Sequence, residues 1–186
     1  MRNITRRFRY MVIIGLLMGC QPARPPGPLR GPVVPGSITH PGVTEIVRGD
    51  IAPVAIGRTV YVPVYSNVYT GDAASPFNLA VTLSTRNTDR AEPIVLTSVR
   101  YHDSGGRLVR DFLKTPLRLA PLAAMEFFVE QSDLTGGSSA SFLVEWVSAT
   151  AVSDPVVEAV MIGTATNQVI ALVSPGRVVG EAGDGR

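Results

Sequence analysis

One cysteine, two histidines and one tryptophan are all that these 186 residues hold of those types, and aromatic residues make up only 6%. The lone cysteine, Cys20, excludes an intramolecular disulfide, so an exported fold would have to stand on its core alone. The two histidines, His40 and His102, form no HExxH pair, and no CxxC, EF-hand or Walker spacing is present. Nothing therefore points to a metal or a nucleotide, and no cofactor is expected. The N-terminal apolar run, Tyr10–Met18, is nine residues, against the roughly 20 that a membrane-spanning helix needs.

Four arginines (Arg2, Arg6, Arg7 and Arg9) precede that run, and Gly19-Cys20 follows it. A basic start, a short apolar stretch and a small residue are the order of an export signal. Leu17-Met18-Gly19-Cys20 resembles the lipobox, at which a lipoprotein signal peptide, here residues 1–19, is cut before the cysteine. That resemblance implies lipid on Cys20, palmitate among its chains, and attachment to a membrane, since two or more chains hold stably where one holds marginally. An ordinary signal peptide with a chance cysteine is the competing reading. Gln21 in place of Asp implies, by the same resemblance, a bacterial cell envelope protein on the outer membrane facing the periplasm. Once residues 1–19 leave, 13 of the 17 Lys+Arg remain against 15 Asp+Glu, so the formal charge passes from +2 to −2. A mildly acidic domain has no electrostatic footprint for nucleic acid.

Residues 20–42 read as the lipidated cysteine and a tether, because Gln21–Gly42 holds seven prolines and four glycines. Such a segment buries too little apolar surface to fold, and its prolines favour extended polyproline II. At ~3.1 Å per residue it spans up to roughly 70 Å.

From residue 43 to 180 the hydrophobic period is two. Phe77, Leu79, Val81 and Leu83 share one face of a strand, with Asn78, Thr82, Ser84 and Arg86 on the other. Val60, Val62 and Val64 alternate with Tyr61, Pro63 and Tyr65, and Pro63, which cannot donate to a ladder, predicts a sheet edge there. His102-Asp103-Ser104-Gly105-Gly106-Arg107 predicts the turn of a hairpin joining Ile94–Tyr101 to Leu108–Leu113. Met125, Phe127 and Val129 alternate with Glu126, Phe128 and Glu130, and Phe142, Val144 and Trp146 predict a core strand. Val156–Ile162, apolar except at Glu158, predicts a central strand covered on both sides; Val169–Val173 and Val178-Val179 close the set. The fold class expected is all-β: a single antiparallel, immunoglobulin-like sandwich of seven to nine strands without a disulfide. Roughly 135 residues suffice for one core, and residues 181–186 are expected to be a disordered tail.

Catalysis by a nucleophile needs a base and a group that orients it. The mature chain offers no thiol, and His102 lies in a turn, so no catalytic residue is assigned and the chain is not expected to be an enzyme. Asp103, Asp111 and Asp133 are the weak candidates for a calcium site, read more simply as solvated loop carboxylates, and no metal ligand is assigned. The scattered arginines predict cross-strand pairs with Asp or Glu. Asp103, Gly105, Gly137 and Ser138 are the candidate ligand loops at one end of the sandwich. Tyr61, Tyr65 and Tyr69 fall within nine residues. They read either as core filling or as an aromatic patch suited to protein or glycan contact.

The segments Thr59–Tyr69, Phe77–Asp89, Ser98–Tyr101, Phe142–Trp146 and Glu158–Gly163 resemble a bacterial family of unknown function, DUF3124, collinearly from about Arg58 to Val179. That resemblance implies an exported or lipid-anchored envelope protein and brings no activity with it. The function expected is a non-catalytic interaction module on a proline-rich stalk, with the membrane and an unidentified envelope protein as partners. Small-ligand or glycan binding at the loop end is the alternative, and an enzyme of unrecognised class the remaining one.

Overall fold

The computed structural model describes residues 40–165 and 168–182. Cys20, the signal segment and the tether up to residue 39 lie outside the described residues, as do residues 183–186 of the predicted tail. No helix among the described residues is long and apolar enough to cross a membrane.

Period-two alternation becomes strand wherever it was read. The elements, in chain order, are β1 (Val43–Glu45), β2 (Ile56–Val64), β3 (Asn67–Val68), β4 (Phe77–Asn78), β5 (Ala80–Arg86), β6 (Ile94–His102) and β7 (Leu108–Asp111). They continue with β8 (Leu117–Leu119), β9 (Ala124–Val129), β10 (Ala140–Ser148), β11 (Val156–Ala165), β12 (Gln168–Pro175) and β13 (Arg177–Glu181). Nine of these have four residues or more, within the expected seven to nine, and the rest are short ladders of two or three. The only helical turns among the described residues are 3-10 turns at Arg48–Asp50 and Gly137–Ser139.

One sheet has the order β1-β8-β6-β10-β2-β13, with β7 also paired to β6; a second has the order β12-β11-β5-β9; β3 and β4 form a small ladder of their own. All pairings are antiparallel. The inward faces of both large sheets contribute to a single core. Val62, Val64, Leu96, Tyr101, Phe142, Val144 and Trp146 come from the first sheet, and Val81, Leu83, Phe127, Ala159 and Met161 from the second. Each large apolar side chain so enclosed stabilises the fold by about 1.5–3 kcal/mol relative to leaving it exposed. Trp146 is fully buried, as a core anchor should be.

Three sequence expectations change. β2 is an interior strand, flanked by β10 and β13, although it contains Pro63. The β13 ladder reaches only Tyr61, so Pro63 stands opposite Ser141 of β10 and beyond the last β13 partner. A proline is tolerated there because no neighbour asks for its missing N–H. β11 is central in its sheet but covered on one side only: Val157, Ala159 and Met161 are buried, whereas Val156 is 41% and Ile162 47% exposed. An apolar run carries no information about which face is enclosed. Finally, β13 runs through Glu181, which pairs with Arg58 both in register and by a salt bridge, so the ordered sheet extends past residue 180.

Candidate functional site

Tyr61, Tyr65 and Tyr69 stand at the surface, 38%, 36% and 59% exposed, while Val60, Val62 and Val64 between and before them fill the core. For Tyr61 the alternation of β2 forces this, since successive side chains point to opposite faces. Core filling is thus the wrong reading of the three tyrosines. Tyr61 lies on the outer face of the first sheet, opposite Leu143 of β10 and Arg177 of β13. Tyr65 follows the end of β2, where its backbone N–H meets Met161 Sδ at 3.3 Å. Tyr69 follows the short β3. No ring pair among the described residues joins two of the three.

The two candidate ligand loops do come together. Ser104 donates through both its backbone N–H and its Oγ to the Gly136 carbonyl, each at 3.0 Å, and Ser139 N–H donates to Ser104 Oγ. Ser66 N–H donates to the Gly137 carbonyl at 3.0 Å, and Ser66 Oγ shares a hydrogen bond with the Tyr101 hydroxyl. Gly137, with φ +72°, occupies the left-handed region that favours glycine. Asp103 accepts the N–H groups of Gly105 and Arg107 and the Arg107 guanidinium, all at 2.9 Å. Those bonds, the Arg107 backbone N–H foremost, hold the Asp103 carboxyl below its ordinary value. The polar groups of this end are therefore occupied with one another: the hairpin turn is closed by Asp103 and then pinned to the 136–139 loop.

His102 stands in register opposite Ser141, a neighbour that nothing in the sequence signals because the two are 39 positions apart. Burial, reinforced by the Arg100 guanidinium, keeps the imidazole below its ordinary value. No hydrogen bond joins His102 to Ser141 among the described residues, and Asp103, the adjacent carboxylate, is turned onto Arg107. The other candidate metal carboxylates are also separately engaged. Asp133 accepts from Arg110 at 2.9 Å, and Asp111 accepts the Leu113 N–H at 3.1 Å. Among the described residues no three metal-ligating side chains gather at one place. The expected arginine pairing is present as Arg86–Glu158 at 2.7 Å and Arg100–Glu145 at 2.5 Å. A cavity of about 220 Å³, lined by Ile46, Asp50, Glu92, Pro93, Arg118 and Val147, was not signalled by the sequence. It falls below the ~300 Å³ at which ligand pockets begin.

Also unforeseen is the outer face of the second sheet. Val173 of β12, Val160 of β11, Thr82 of β5 and Phe128 of β9 form one row across it. Ala171, Ile162 and Ala80 form the next. Val169 and Val173 are 72% and 65% exposed, the largest apolar exposures on that face. Isolated exposed valines need no explanation, but Val169 and Val173 lie on one edge strand, beside exposed Ile162, and such grouped apolar exposure marks a surface that can be covered.

Comparison with known proteins adds a family and little else. A family model described as "Protein of unknown function (DUF3124)" matches residues 57–179. No match to a curated protein was found. Among solved structures, "Crystal Structure of Thermotoga maritima 1070" is similar over 72% of this chain and 99% of that one, at 11% identity and a TM-score of 0.40. At that level of likeness it supports no argument about this chain.

Proposed function

The chain belongs to the DUF3124 family, whose name supplies no activity, and from that premise we propose that it is a tethered, non-catalytic interaction module of the bacterial envelope. In this reading lipid on Cys20 holds the protein to a membrane, most simply the outer membrane. Residues 20–42 act as a proline-rich spacer, and the all-β domain presents a surface to another envelope protein. The observation that carries it is the exposure of Tyr61, Tyr65 and Tyr69 at the surface. Tyrosine combines a large contact area with a polar tip at little entropic cost, which suits it to protein contact. The order of Arg2 to Cys20 supports the anchor, and the proline content supports the spacer. Ligand binding at the loop end has less in its favour, because Asp103 is already satisfied by Gly105 and Arg107, and the Ser104 hydroxyl by the Gly136 carbonyl.

Photocrosslinking residues at positions 61, 65 and 69 of the full chain, in cells, test the surface. A discrete protein adduct at these positions and none at Thr82 is expected; no adduct at any of the three overturns it. Radiolabelled palmitate tests the anchor separately. It should enter the wild type and not Cys20→Ser, which should also leave the membrane fraction. An unlabelled wild type, or a variant that stays equally membrane-bound, overturns that half.

A further inference from the structure

Edge strands are liabilities that folded proteins blunt by shortness, charge, proline or a bulge. Four edges of this molecule are blunted in one of those ways. β1 has three residues. β7 has four and carries Arg110 and Asp111. β9 exposes Glu126. β13 has charged residues at both ends, Arg177 and Glu181, and a bulge between Val178 and Gly180. β12 differs. It is eight residues long, Gln168–Pro175, carries no charge, and keeps an unbroken register with β11 from end to end. Among the described residues nothing pairs with its outer side. Its outward residues, Val169, Ala171, Val173 and Pro175, are all exposed and apolar.

We propose that β12 is the docking edge for a second copy of this chain, pairing antiparallel with its own counterpart about a two-fold axis at Ala171. In such an isologous contact the same strand supplies both sides, and cross-strand partners must share a face. An axis at Ala171 places Val169 opposite Val173 of the second copy, twice, and Ile170 opposite Leu172. Gln168 then meets Ser174. Every outward pair is apolar, and no charge is opposed by a like charge or buried alone. Exposed Val173, in the row with half-buried Val160 and Phe128, then meets Val169 of the second copy, so two four-stranded sheets become one of eight.

The proline-rich tether, residues 20–42, fits this edge poorly. Once residues 1–19 are removed, a step that rests on the proposed function, prolines at 22, 25, 26, 28, 32, 35 and 41 leave no run of donors in the tether long enough to match eight ladder positions. A contact made by one strand and one row of side chains is small, so the dimer should be weak: monomer at ~1 µM and dimer approaching ~1 mM. This edge is on the opposite sheet from Tyr61, so the proposal stands or falls independently of the tyrosine surface.

The test uses the full chain. With Cys20→Ser removing the native thiol, Ala171→Cys should give a disulfide-linked dimer on mild oxidation, because directly opposed Cα atoms of an antiparallel pair lie about 4.5–5.5 Å apart, within the span of roughly 4.4–6.8 Å that a disulfide bridges. Leu143→Cys on the other sheet should not. By sedimentation in detergent, the wild type should double its mass with rising concentration. Val169→Lys/Val173→Lys, which opposes lysine to lysine, should stay monomeric with an unchanged melting temperature, since both side chains are exposed in the fold. A wild type that is monomeric at ~1 mM overturns the proposal. So does a dimer that survives the double lysine variant or that Ala171→Cys does not trap. A monomer whose valines instead bind phosphatidylglycerol vesicles, or take up an unrelated strand, overturns it in favour of that occupant.

Discussion

Tyr101 and Ser66 share a hydrogen bond of 2.7 Å with both residues at 0% exposure. This bond ties β6 to the turn that leaves β2. The Ser66 backbone extends the tie, donating to the Gly137 carbonyl and accepting from Leu79 N–H. Burial raises the Tyr101 hydroxyl above its ordinary 10.0, which keeps it protonated at neutral pH. Tyr101→Phe should cost about 1–3 kcal/mol, because Ser66 Oγ is then enclosed without a partner. Ser66→Ala should cost a similar amount, and the double variant much less than the sum. Urea melts of the four proteins of the cycle give the coupling; strict additivity would show that the bond contributes nothing.

Gly136 leaves no room for a side chain. A Cβ there would lie 1.8 Å from the Tyr101 hydroxyl and 2.8 Å from Ala140 Cβ. Gly136→Ala should therefore destabilise by about 1–3 kcal/mol, as overpacking does. It should also release the 102–107 turn, whose Ser104 depends on the Gly136 carbonyl. Faster amide exchange at Ser104 and Ser139 than in the wild type is the expected signature, and unchanged exchange would contradict it.

Asn87, 2% exposed, ties its own turn, 89–92, to the segment 119–120. Its Nδ2 donates to the carbonyls of Glu92 at 2.8 Å, Ala120 at 3.0 Å and Leu119 at 3.3 Å, and its Oδ1 accepts the Asp89 N–H. Asn87→Ala should cost about 1–3 kcal/mol by stranding those carbonyls. Asn87→Asp should cost more, since it aims a carboxylate at carbonyl oxygens. Chemical denaturation of both checks the order, which a purely space-filling role would reverse.

Acid should weaken the fold in two steps. His102 sits below its ordinary 6.5 because of burial and Arg100. The unfolded imidazole therefore takes its proton first, and stability begins to fall as the pH drops through that value. Asp89 is held below its ordinary 3.8 by the backbone N–H groups of Ala91, Glu92 and Ser153, and Asp103 by Arg107 and Gly105. Their contribution is present above 3.8 and is lost as the pH falls through their lower folded values. Melting temperature against pH should show both steps. His102→Phe should remove the upper one, and Asp89→Asn and Asp103→Asn should shrink the lower one. A curve for His102→Phe that matches the wild type through the upper step would contradict the assignment.

Local pattern carried much of the fold. Phe77, Leu79, Val81 and Leu83 alternate with polar residues, and all four are buried, because a pleated strand has only two faces and water selects between them. The 102–107 turn was equally legible: Asp103 can close it on its own backbone, and Gly106, at φ +77°, supplies the left-handed residue it needs. Where the pattern was not binary the reading failed. Val156–Ile162 is apolar on both faces, so nothing local says that one of them meets no second layer. Pro63 says only that one N–H is missing, and the length of β13 decides whether that matters.

By itself, then, the sequence determined an all-β, disulfide-free domain, its hairpin, and the inward place of the alternating apolar residues of β5. Tertiary structure alone decided that Tyr101 meets Ser66, that His102 faces Ser141, that two loops 30 residues apart close on each other, and that β12 is left uncovered. The division has one physical cause. Strand alternation depends on neighbours two residues away, whereas antiparallel pairing joins segments through hydrogen bonds that any backbone can make. Which strand lies beside which is chosen by the packing of the whole core.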